Sequence, residues 1–173
     1  VRAPWAAGRS LHTGRHPACN LDSLYGSGPR FEGERGYRTT RSEASYVPGS
    51  AKLRLGRIST EPLVIPGGPS FSLVAPGDDA QRDLPRDDGG APLIPDGRND
   101  ENLVVAQLHL AMIRFHNAVV DWVDDAEPWT RLTGGERGVF ERASQLVRWH
   151  YRWLVGEVCR RARSPRGVGD APR

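Results

Sequence analysis

At 173 residues, with 38% hydrophobic residues and a mean hydropathy of −0.54, the chain can bury one modest core. A formal net charge of +3 excludes a global basic field of the kind that grips nucleic acid, and the Arg-rich end from Arg160 to Arg173 is only a local feature. No stretch reaches the ~18 apolar residues of a membrane span, and Cys19 and Cys159 lie far apart without metal-ligand spacing, which reads as unpaired thiols.

Val1 to Ser10 is polar and basic with no apolar run, so no signal peptide is read there. Val1 opens the chain and Met112 is its only methionine, and the chain is therefore expected to be a piece of a longer protein. The 20 glycines and 14 prolines exceed average usage, roughly 12%, and fall mostly before Pro95, which predicts a loop-rich first half. "GSGP" (26–29) is a strong turn signal. "KLRLGRI" (52–58) alternates with period two and predicts a short extended segment. "PLVIPGGPSFSLVAPG" (62–77) holds two apolar runs that prolines limit to short strands. Residues 77–97 form an acidic loop whose aspartates (78, 79, 83, 87, 88) lack EF-hand alternation, so a solvated loop is preferred to a calcium site.

From Asn99 the register turns helical. Val104, Leu108, Ala111, Met112, Phe115, Val119 and Trp122 recur at spacings of three and four, predicting a helix over 99–124 with that face buried. Asn99 is the expected N-cap, with Asp100 and Glu101 in the first turn against the positive end of the helix dipole. A second helix is predicted over 135–158, with Phe140, Ala143, Val147, His150, Tyr151, Leu154 and Val158 on one face. Trp149 and Trp153 lie on another face, so this helix needs packing on more than one side. Residues 159–173 lack periodicity and read as a disordered tail.

The chemistry concentrates in "PDGRNDENLVVAQLHLAMIRFHNAVVDW" (95–122). Arg98 and Glu101, three apart, share one side of a helix start, and on spacing alone a capped terminus with a surface ion pair is the simpler account. His109 and His116 are seven apart, whereas two metal ligands on one helix usually stand four apart, so both are read as packed, hydrogen-bonded histidines. "RWHYRW" (148–153) mixes basic and aromatic residues as nucleic-acid binders do, but on a helix those aromatics fall on packing faces.

"LIPDGRNDENLVVAQLHLAMIRFHNAVVD" closely resembles the hallmark segment of the animal-type haem peroxidases (the peroxidase–cyclooxygenase superfamily), its bacterial branch above all. "LDSLYGSGP" and "DLPR" before it, and "LVRWHYRWLV" after it, agree in order, so the resemblance spans roughly residues 16 to 155. It implies a mainly α fold: residues 1–158 as part of an all-helical haem peroxidase domain, loop-rich over 1–95 and with two long helices over 96–158. It implies that Arg98 lies over the distal face of the haem, as a fixed cation that polarises bound peroxide. It implies that Glu101 is the carboxylate that forms an ester with a haem methyl. It also makes "HPACNLDSLYG" (16–26) similar to the family's calcium loop, with His16 at a threonine position and Asn20 at an aspartate position. Asp22, Asn20 and the Ala18 carbonyl remain as the ligands of a weakened calcium site.

The family's distal and proximal histidines have no counterpart in this sequence, so the chain by itself is expected to be inactive. The resemblance implies hydrogen peroxide and a small organic or halide donor as partners, a part in the response to oxidative stress, and relatives that are often secreted. Two alternatives stay open: a fatty-acid dioxygenase of the same superfamily, and a non-catalytic remnant that serves as a binding or structural protein.

Overall fold

The computed structural model describes residues 20–34, 39–58, 61–71 and 80–163. In chain order these form α1 (Asp22–Tyr25), α2 (Thr40–Ala44), β1 (Leu63–Val64), β2 (Ser70–Phe71), a 3₁₀ helix (Gly97–Asp100), α3 (Leu103–Ala126) and α4 (Pro128–Arg163). The fold is mainly helical, and β1 and β2 pair antiparallel through Leu63–Phe71 and Val64–Ser70. The extended segment expected at 52–58 is no named strand. Leu53 and Gly56 make isolated bridges to Tyr46 and Asp83.

α3 begins later than the sequence suggested. Asn102, not Asn99, is its N-cap: the side-chain oxygen accepts from the Val105 N–H at 3.0 Å. Asn99, Asp100 and Arg98 belong instead to the preceding 3₁₀ turn. α3 closes at Ala126 and Pro128 opens the next helix. α4 is broken at Gly135, its eighth residue, whose φ of 58° and ψ of −154° suit only glycine. Arg131 bridges Asp124 and Glu136 across this corner, and Arg142 is bidentate to Glu127. α4 is helical through Arg163, five residues into the expected tail, while residues 164–173 lie outside the described residues. The Cys159 thiol there is exposed and unpaired, and Cys19 lies outside the described residues.

α3 and α4 run antiparallel: Val120 and Val123 pack on Val139 and Ala143, and farther along Leu110 and Ile113 pack on Val147. The loop-rich half adds Leu24, Tyr25, Tyr46, Leu53, Leu84 and Ile94 to the same core. Burying each large apolar side chain contributes on the order of 1.5–3 kcal/mol, so the irregular segments are held by what they insert between the helices.

The buried face of α3 is not the one the apolar spacing selected. Ala106, His109, Leu110, Ile113, His116, Val120 and Val123 face inward, whereas Val104, Leu108 and Trp122 are 79%, 65% and 52% exposed. The helix is apolar on two sides, and the side that faces in is the one that carries the two histidines. α3 is long and apolar enough to cross a membrane by length and composition. One face of it is buried and carries two imidazoles, while the other is exposed. On α4 the expected face is buried only as far as Val147, and His150, Trp149, Trp153, Leu154 and Val158 are exposed.

Candidate functional site

The charged start of α3 is organised by Asp96. Its Oδ1 accepts from the Arg98 N–H at 3.2 Å and so caps the 3₁₀ helix. The same carboxylate takes the Arg98 side chain in two parallel bonds, Nε to Oδ1 at 2.9 Å and Nη2 to Oδ2 at 2.5 Å. These bonds push the guanidinium further up from its ordinary range, so Arg98 is a fixed cation at any working pH. Its head is exposed and lines a shallow cleft beside Ser23, Ser27, Thr39 and Ser42.

Glu101 caps the C-terminal end of the same 3₁₀ turn and is exposed. The Arg98–Glu101 ion pair that spacing suggested does not form, because Asp96 holds the guanidinium. Glu101 lies close enough for its charge to act on Arg98, but it stands beside the cleft rather than in its wall. Asp100 is bound by Arg86 through two bonds of 2.7 and 2.8 Å, which hold its carboxyl below the ordinary range. Arg86 also reaches Asp83. The "DLPR" segment thus braces the 3₁₀ turn from outside, a role that only the acid–base spacing within it could have signalled.

The two histidines of the motif face the other way. His116 is fully buried: Tyr25 Oη donates to Nδ1 at 3.1 Å, and Nε2–H donates to the Ala51 carbonyl at 2.9 Å. This pattern fixes the neutral tautomer. Burial, helped by the nearby Arg148 charge and opposed by the Ala51 bond, lowers its pKa from the ordinary 6.5 to about 4. Asn117 completes the clasp, accepting from Leu53 N–H and donating to Leu53 O, each at 2.8 Å. Tyr25, Tyr46 and His116 all set their rings edge-on to Phe140 at 5.7–5.9 Å.

His109 is also buried, and burial pushes its pKa down. Its Nδ1 lies 2.9 Å from the Asn99 amide, while Nε2 has no partner among the described residues. Turning that amide so that its oxygen receives an Nδ1–H leaves Nε2 a bare lone pair, which costs less in an apolar site than an orphaned N–H. Both histidines therefore pack, as their spacing suggested, and His116 has no nitrogen left for a metal.

Of the three calcium-loop positions, Ala18 lies outside the described residues, Asp22 is exposed, and Asn20 accepts from Arg148 and Arg152. Among the described residues no three His, Cys, Asp or Glu side chains come together. No family model, curated protein or solved structure matches the chain.

Proposed function

We propose that this chain carries the distal-side segment of a haem-dependent peroxidase, with Arg98 and Glu101 against one edge of the cofactor. The observation that carries the reading is the division of labour within one motif. His116 and Asn117 are consumed by the interior. Arg98 and Glu101, on one 3₁₀ turn, are left exposed with their charges within reach of one another. Asp96 fixes the Arg98 guanidinium through two bonds, as an electrostatic group aimed at developing charge requires. Glu101 is the carboxylate of this turn that no arginine binds, in contrast with Asp96 and Asp100.

Arg98 and Glu101, both exposed on one turn, would stand at the rim of a haem, which when bound would supply the two electrons that reduce peroxide. Arg98 would donate hydrogen bonds to peroxide there and offset the negative charge that develops on the departing oxygen. Glu101 offers an oxygen for an ester to the cofactor edge. A small organic or halide donor belongs to this reading as a proposal. The resemblance supplies no counterpart of the family's distal and proximal histidines, and His116 has no free nitrogen. On this reading the chain by itself should not turn over peroxide.

Haemin titration of the purified chain, with imidazole added as the axial ligand, tests the reading without relying on turnover. The Soret change should saturate, and Arg98→Ala and Glu101→Gln should weaken binding severalfold. After mild peroxide treatment, peptide mapping should find haem on the peptide that contains Glu101. Equal haemin binding by all three proteins, with no haem-bearing peptide, would overturn the proposal.

A further inference from the structure

The segment that resembles a calcium loop is held to α4 by two guanidinium groups. Arg148 Nε donates to the Asn20 carbonyl at 2.9 Å, and Arg152 Nη2 donates to Asn20 Oδ1 at 2.7 Å. The two arginines are four apart on α4, so both heads reach the same residue. Arg148 is itself fixed. Its Nη1 donates to Ser144 Oγ at 3.0 Å, and its guanidinium carbon sits 4.6 Å above the Tyr25 ring.

Next to Asn20 stands Leu21, with a φ of 57°. A leucine keeps that left-handed conformation only where its surroundings hold it. From Leu21 the chain enters α1, and Tyr25 at its end donates to buried His116. The arginine contacts therefore anchor the first link of the buried clasp.

A divalent ion needs several hard oxygens and gains from carboxylate charge around it. At Asn20 both oxygens already accept N–H groups that carry positive charge, and a metal beside them would face repulsion from two cations at close range. We propose that Arg148 and Arg152 act as a built-in cation, anchoring residues 20–25 to α4 in place of a divalent metal. The anchor is then insensitive to calcium. The comparison with a metal rests on this segment's resemblance to the family's calcium loop, whereas the anchoring by the two arginines stands on the contacts themselves.

Thermal melting of the chain in excess calcium and in excess chelator should give one midpoint. Terbium, used as the probe ion, should show no saturable luminescence sensitised by the protein. Arg148→Met/Arg152→Met should melt lower in both buffers and be cut faster by chymotrypsin at Leu24 or Tyr25. Arg152→Met alone, a milder change at an exposed contact, should show the faster cleavage if the double variant fails to fold. A calcium-raised midpoint or a saturable terbium signal in the unaltered chain would overturn the proposal. So would variants that melt and are cleaved like the unaltered chain.

Discussion

Acid should loosen this protein through His116. Burial holds the folded imidazole at about 4 against 6.5 for a free one. Above the unfolded value the ring is neutral in both states, and titration contributes nothing. As pH falls through the window from 6.5 to about 4, the unfolded chain takes up a proton and the folded chain does not. Stability then drops by about 1.4 kcal/mol per pH unit, roughly 3 kcal/mol across the whole window. His109, also pushed down by burial, adds in the same direction. Against a typical net stability of ~5–15 kcal/mol, that is a large fraction.

His116→Phe isolates the effect. The ring keeps its place beside Tyr25 and Phe140, but Tyr25 Oη and the Ala51 carbonyl lose their partners. Each orphaned group costs about 1–3 kcal/mol, so the variant should be weaker at neutral pH by roughly 2–6 kcal/mol. It no longer titrates at this site. Urea denaturation followed by circular dichroism at about pH 6.5 and about pH 5 should show the gap between the two proteins narrowing by about 2 kcal/mol. Parallel losses, with an unchanged gap, would refute the assignment of the acid sensitivity to this imidazole.

Asn117→Ala should cost about 1–3 kcal/mol and speed hydrogen exchange at the Leu53 amide, because both polar groups of Leu53 lose their partner. Unchanged exchange at Leu53 would count against the clasp. Gly56→Ala should cost about 2–4 kcal/mol, since an added Cβ would stand 2.0 Å from the Leu84 carbonyl oxygen. A melt like that of the unaltered chain would show that this strand-like contact can slide. Trp149→Gln and Trp153→Gln together should leave the melting midpoint nearly unchanged while reducing dye binding and aggregation, because these rings are 51% and 68% exposed. A cooperative loss of stability would show instead that the two rings are covered in solution.

Periodicity in the sequence determined that two long helices dominate the second half and that the first half is irregular. Both follow from local rules, namely apolar residues every three or four positions and the crowding of glycine and proline before Pro95. The charged opening of α3 was legible as a special place, and the packing roles of His109 and His116 followed from their spacing. Which face of α3 turns inward was not legible. Val104, Leu108 and Trp122 made the stronger apolar stripe, yet the stripe with two histidines is buried. Only the tertiary structure brings Tyr25, Ala51 and Asn99 to those rings, from 91, 65 and 10 residues away. The partner of Arg98 was decided locally, by the conformation of one turn. Glu101 and Asp96 both stood within reach along the chain, and the 3₁₀ turn, capped by Asp96, gave the guanidinium to Asp96. Long-range hydrogen bonds such as those to His116 join segments that local spacing cannot relate, and for that reason they cannot be read one segment at a time.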